Sequence, residues 1–281
     1  IIGTFGKGAE RWIRIFGISV QPSEIIKVAI ILALAKYFHN LRFDTIGKIY
    51  HIIIPAFFIL VPFVLVLLQP DLGTAISIFL LGVMILFIAG IRIWKFVLGV
   101  IISFGSFPFL WDLIKPYQQK RFLSFLNPEL DPLGQGYQLI QSKIALGSGG
   151  LTGKGFLEGT QSYLEYLPEK QTDFIFTLIG EEFGFIGTMF ILLLFGLLIS
   201  ICFYISIRSY HIFGRIICLG VACNIFIYVI LNVAMVTGLL PVVGIPLPLI
   251  SYGGTAMLSI MVSFGLLLNV GIYYNVKKIN Q

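Results

Sequence analysis

Apolar residues gather in runs near positions 22–38, 50–69, 72–91, 93–111, 173–207, 212–238 and 255–276. Each is close to the roughly 20 residues that a helix needs to cross a bilayer, so the pattern predicts seven membrane-spanning helices. The first is short and carries Lys27, the second contains Pro55 and Pro62, and the fifth is long enough to tilt or to begin outside the membrane. The longest polar interruption, 112–172, reads as a large loop. Within it Tyr137, Ile140 and Ile144 recur at helical spacing with Gln138, Gln141 and Lys143 between them, which predicts a short amphipathic helix over Gly134 to Gly147.

Short loops set the orientation, because Lys and Arg accumulate on the cytoplasmic side. Lys36, Arg42 and Lys48, then Arg92 and Lys95, then Arg208 and Arg215, and finally Lys277 and Lys278 all fall on one face if the seven spans alternate. The opposite connections, Gln69 to Gly73 and Leu239 to Gly254, contain neither Lys nor Arg. This predicts a cytoplasmic C-terminus, with Ile1 to Val20 and the 112–172 loop outside. Arg11 and Arg14 then sit on the unfavoured side.

Composition narrows the class further. With 58% hydrophobic and 11% charged residues in 281, the chain has more apolar surface than a soluble core of that size buries. The net charge of +6 is scattered between apolar runs, which argues against nucleic acid as a partner. Cys202, Cys218 and Cys223 show no metal-ligand spacing. The segment Gly147 to Gly155, GSGGLTGKG, lacks the Walker spacing and reads as a flexible turn or as a nest of backbone amides that, with Lys154, holds an anion.

Several polar residues stand where a membrane tolerates them poorly. Glu24 and Lys27, three apart on a helix, suit an ion pair that either locks helices or lines a cavity. Asp71, after Pro70, suits an N-cap. Pro241, Pro246 and Pro248 break 239–254 into irregular backbone, with Ser251 to Gly254 either lining a cavity or forming a surface loop. Asp173 precedes Thr177, Gly180, Gly184 and Gly187 at helical spacing. It reads as a cap above a Gly-x-x-x-Gly packing stripe or as an acid at the mouth of a groove for a lipid chain.

These residues also carry a resemblance. GAERW at 8–12, QPSE at 21–24, QPDLGTA at 69–75, LPEKQTDFIF at 167–176, GEE at 180–182 and GIPLPLISYGG at 244–254 resemble the motifs of the RodA/FtsW, or SEDS, peptidoglycan glycosyltransferases, in the same order. GTQS at 159–162 is more similar to the elongation branch, RodA, than to FtsW. Gln171 departs from the family, which commonly has His there. The resemblance implies an all-α, polytopic helical bundle forming a single domain over 1–281, with the 112–172 loop outside. The family has ten spans, so three preceding spans are expected to be missing from this chain.

The same resemblance implies polymerisation of lipid II on the outer face of the bacterial cytoplasmic (inner) membrane, for cell elongation and shape. Attack by a sugar hydroxyl needs a base, and the family's catalytic Asp maps onto Asp173. Its intramembrane pair maps onto Glu24 and Lys27. Arg11, Lys154, Glu169, Lys170 and Ser251 complete the expected substrate-binding set, since developing pyrophosphate charge calls for cations or backbone donors. No acidic cluster forms a clear metal site and the sequence marks no certain cofactor, while a divalent ion such as Mg can assist. Expected partners are a class B penicillin-binding protein, elongasome proteins and membrane lipid. The alternatives are an FtsW-like division enzyme, a flippase for the lipid-linked precursor and a non-catalytic scaffold.

Overall fold

The computed structural model describes residues 4–6, 9–15, 18–41, 48, 50–111, 116–131, 134–160 and 171–279. Three short strands, β1 (Thr4–Gly6), β2 (Ala9–Ile15) and β3 (Ile18–Val20), precede the helices. These are α1 (Pro22–His39), α2 (Tyr50–Leu68), α3 (Leu72–Ile88) and α4 (Ile93–Trp111). Then follow α5 (Pro116–Leu126), α6 (Gln135–Ser148), α7 (Ile175–Arg208), α8 (Ile212–Thr237) and α9 (Gly254–Ile279). Seven of them coincide with the predicted spans to within a few residues, and α6 matches the predicted loop helix. Among the described residues α2, α7, α8 and the Gly254–Ile272 part of α9 are long and apolar enough to cross a membrane. Helix α3 is shorter at 17 residues, and α1 carries Glu24, Lys27 and Lys36. The chain is thus a multi-pass helical membrane protein.

The strands were not foreseen. They form an antiparallel meander in the order β1-β2-β3, with Ile13 opposite Val20 and Ile15 opposite Ile18. The β-branched and aromatic residues of β2, AERWIRI, favour an extended pleated chain.

The residues divide into two compact units. One comprises 1–93, 196–227 and 253–281, and the other 94–195 and 228–252. In the first, α1 is the hub: Ile31, Leu34, Ala35 and Phe38 are buried, and α1 touches α2, α3 and α9. Glycines permit the closest approaches, since a Cβ at Gly82 would overlap Ile59 and one at Gly220 would meet Ile31. Helix α2 instead turns Ile53, Phe57, Leu65 and Leu68 outward, an apolar face that suits hydrocarbon and not water.

Asp71 caps α3 as the sequence predicts. Its carboxylate accepts from the Thr74 amide at 3.2 Å, the Thr74 hydroxyl at 2.9 Å and the Gln21 side-chain amide at 3.0 Å, so it also ties α3 to the residue preceding α1. In the second unit Asp131 pins the loop. It accepts from the Gln135 amide at 3.0 Å and the Ser124 hydroxyl at 3.4 Å, and pairs with Lys120 at 3.0 Å, joining α5 to the first turn of α6.

Two outcomes follow. Asp71→Ala removes a buried charged acceptor with three donors, so thermal unfolding of the purified protein should show a loss of about 1–3 kcal/mol. The Lys120 hydrogen bond holds the Asp131 carboxyl below the usual carboxylate range. Its stabilisation is therefore present above the unfolded value of about 3.9 and is lost as pH falls through the lower folded value. Hydrogen exchange in the first turn of α6 should quicken over that acidic window, beyond the intrinsic pH effect, in the wild type and not in Asp131→Asn.

Candidate functional site

The turn Gln171 to Phe174 leads into α7 and is held from outside. The Tyr252 amide donates to the Gln171 carbonyl at 2.9 Å. The Ser251 hydroxyl donates to the Thr172 carbonyl at 2.6 Å while accepting from the Leu247 amide at 2.7 Å. The Asn232 side-chain amide donates to the Asp173 carbonyl at 2.8 Å and to the Ile245 carbonyl at 2.7 Å. Asp173 itself is half-buried, and Gly244, an exposed residue between the buried Val243 and Ile245, lies beside its carboxylate. A Cβ added at Gly244, where φ is +73°, would stand 3.2 Å from Asp173 Oδ2. Irregular backbone at this depth is thus satisfied by side chains chosen for it. Leu249, at φ 66°, marks how tightly the segment is bent.

Just beyond the turn, Thr177 is completely buried and shares a 2.7 Å hydrogen bond with Ser142 of α6. The Ser142 hydroxyl also lies 2.8 Å from the Val236 carbonyl of α8. These polar contacts lock α6, α7 and the end of α8 together around the turn.

The small-residue face after Asp173 is not an open groove. Helix α7 is interrupted at Gly184, whose φ of 67° and ψ of −161° are not helical. The glycine-rich loop fills the break. Phe185 and Ile186 amides donate to the Gly150 and Leu151 carbonyls at 2.9 and 3.1 Å, and Lys154 and Gly155 amides donate back to the Glu181 and Glu182 carbonyls at 3.0 and 3.1 Å. Gly180 packs on Leu146, and Gly153 and Gly184 face each other so closely that neither accepts a Cβ. The amides of Lys154 and Gly155 are therefore spent on α7 and not on an anion nest.

Lys154 is ion-paired with Glu181 at 2.8 Å and bonded to Thr160 at 2.8 Å. Glu181 is fully buried, whereas about a quarter of the Lys154 side chain is exposed, 26%. An ammonium has three donors, so two anchored ones aim the group without exhausting it. In the other unit, Glu24 and Lys27 form the predicted pair at 2.7 Å, with Lys27 only 1% exposed. Arg11 lies in β2, its side chain outside the described part, and Glu169 and Lys170 lie outside the described residues. Arg11, Glu24 and Lys27 belong to the first unit, and Lys154, Asp173 and Ser251 to the second.

Sequence reasoning overlooked Asn232, Glu181, Ser142 and Thr177 as organising groups. Asn232 had a signal, a primary amide inside the apolar run 212–238, which it shares only with Asn224. Among the described residues no three His, Cys, Asp or Glu side chains come together as metal ligands.

A family model described as cell cycle protein, covering FtsW, RodA and SpoVE, matches residues 1–275. Over 270 residues the chain is 44% identical to the peptidoglycan glycosyltransferase MrdB of Escherichia coli, an alignment spanning 95% of this chain and 72% of that protein. Among solved structures, the fold is similar to one describing the structural coordination of polymerization and crosslinking by a peptidoglycan synthase complex. There the TM-score is 0.80 and the identity 33%, over 96% of this chain and 75% of the other. The rod shape determining protein RodA of Thermus thermophilus gives a TM-score of 0.67 and 25% identity, over 96% of this chain and 72% of that one.

The break in α7 yields a direct test. Gly184→Ala puts a side chain against Gly153 and Leu151 at a left-handed φ, which alone costs about 1–2 kcal/mol. Exchange of the Lys154, Gly155, Phe185 and Ile186 amides should rise by about tenfold or more, read by mass spectrometry of the corresponding peptides.

Proposed function

The chain belongs to the FtsW, RodA and SpoVE family of cell cycle proteins, and from that premise we propose that Asp173 is the general base of its glycosyl transfer. The protein is a peptidoglycan glycosyltransferase of the RodA type. Its substrates are lipid II and the growing glycan strand, on the outer face of the bacterial cytoplasmic membrane, with the C-terminus in the cytoplasm. The observation that carries the reading is the clamped turn, which holds a half-buried carboxylate beside the exposed Gly244.

The acceptor sugar's 4-hydroxyl attacks the anomeric carbon of the donor. A new C–O bond forms as the bond to the undecaprenyl pyrophosphate breaks, and the hydroxyl proton passes to the Asp173 carboxylate and then to water. A hydroxyl is a poor nucleophile until that proton leaves, so a positioned base supplies typically 10²–10⁴-fold. The leaving pyrophosphate gathers negative charge, which fixed cations and donors stabilise. Lys154, aimed by Glu181 and Thr160, is the cation of the second unit assigned to this work, while roles for Arg11, Glu169 and Lys170 rest on the sequence motifs alone. Ser251 serves the turn that carries Asp173 through the Thr172 carbonyl. Glu24 and Lys27 shape the intramembrane part of the substrate's path.

The described residues offer no protein cage for a divalent ion. A divalent ion such as Mg, entering with the substrate's pyrophosphate, can assist its departure. The similar structure of a peptidoglycan synthase complex supports pairing with a cross-linking class B penicillin-binding protein within the elongation machinery.

Purified protein with its transpeptidase partner should polymerise lipid II into glycan strands. Asp173→Asn, inserted normally, should lose about 10²–10⁴-fold in kcat with little change in KM. Polymerisation at the wild-type rate by this variant, or translocation of labelled lipid II without polymer by the wild type, would overturn the assignment.

A further inference from the structure

Three consecutive carbonyls, those of Gln171, Thr172 and Asp173, each accept a hydrogen bond from a donor between Asn232 and Tyr252. Fixing the carbonyls on either side of a Cα fixes the direction in which its side chain leaves the backbone. The carboxylate of Asp173 is therefore aimed by residues that lie 59 to 81 positions later in the chain.

Asn232 is the costly member. It is fully buried in the apolar stretch Leu231 to Val236, where desolvating a primary amide costs several kcal/mol unless it is bonded. Both of its partners are carbonyl acceptors, so the nitrogen must face them, and its Oδ1 makes no hydrogen bond among the described residues. Half the amide's capacity is thus sacrificed at a site where Leu would pack as well. What Leu lacks is two donors for the Asp173 and Ile245 carbonyls. Gly244 supplies the complementary feature, a bare backbone beside Asp173 Oδ2 where any Cβ crowds the carboxylate.

We propose that Asn232, Ser251 and Gly244 are positioning residues for the transfer reaction, forming a cradle that holds the Asp173 carboxylate in its reactive direction. The inference rests on Asp173 being the base. It assigns to the proline-broken segment 241–252 a role in kcat and not in substrate affinity.

The test compares Asn232→Leu, Ser251→Ala, Ser251→Thr and Gly244→Ala with wild type and Asp173→Asn in lipid II polymerisation by the full chain with its partner. Insertion and thermal unfolding are measured on each. A misplacement of about 1 Å costs on the order of 10²-fold. Asn232→Leu should therefore lower kcat by about 10–100-fold and Gly244→Ala by about tenfold, with KM within about threefold. Ser251→Thr keeps the hydroxyl and should restore most of what Ser251→Ala loses.

If Asn232→Leu does not insert, the Ser251 and Gly244 variants decide. Wild-type kcat in the inserted cradle variants, a change confined to KM, or equal losses from Ser251→Ala and Ser251→Thr would sink the cradle while leaving the base in place, provided Asp173→Asn is inactive. A fully active Asp173→Asn would instead remove the reading on which the cradle rests.

Discussion

Hydrocarbon offers no hydrogen bonds, so backbone that leaves helical geometry at membrane depth, and any loop that packs against it there, must find partners inside the protein. This constraint organises the second unit. Three of the places where the chain leaves helical form there bear on the site: the glycine-rich loop after α6, the Gly184 break in α7 and the proline-rich segment after α8. The first two satisfy each other, amide to carbonyl in both directions. The third is satisfied by Asn232, by Ser251 and by the carbonyls of the turn that carries Asp173. Irregular backbone is expensive here, and it surrounds the acid assigned to catalysis.

Span positions were legible because a bilayer imposes one length and one composition on every crossing. Asp71 and the Glu24–Lys27 pair were legible because a cap and an i,i+3 ion pair depend only on neighbours one turn away. The Gly184 break was not. A Gly-x-x-x-Gly stripe predicts close packing on an intact helix, and nothing in its spacing says that the packing partner is a loop whose own glycines split the helix. The Asn232 clamp lay further out of reach, since its partners are backbone carbonyls, identical at every residue, distant along the chain. Only the isolation of an amide among apolar neighbours hinted at it. The strands at the N-terminus were hidden behind a count of apolar runs too long for a seven-residue strand to register.

The two buried ion pairs are arranged differently. Lys27 and Glu24 are both nearly inaccessible and lie on one helix, so the pair is formed as soon as α1 forms. Burying such a pair gives little net stability, because desolvation offsets the attraction, whereas removing one partner leaves an uncompensated charge. Lys154 and Glu181 come from a loop and a helix, with the acid fully buried and the cation partly exposed. An asymmetric pair of that kind fixes the position of a charge that still meets solvent, as a group that greets an anionic substrate requires.

The location of the acid follows from the same physics. Had Asp173 been placed within the regular part of α7, the helix would have satisfied its backbone without help, but its side chain would have been directed by helix geometry alone. Set instead in the turn before Ile175, its carbonyl and those before it need outside donors, and those donors become independent handles on the carboxylate's direction. Each handle sits on the last turns of α8 or on the segment that follows it, within the 228–252 stretch of the compact unit that also holds the turn. The direction of the assigned base is thus tied to the packing of the end of α8, and a displacement there would reach Asp173 through the 2.8 Å hydrogen bond that the buried Asn232 side chain donates to its carbonyl.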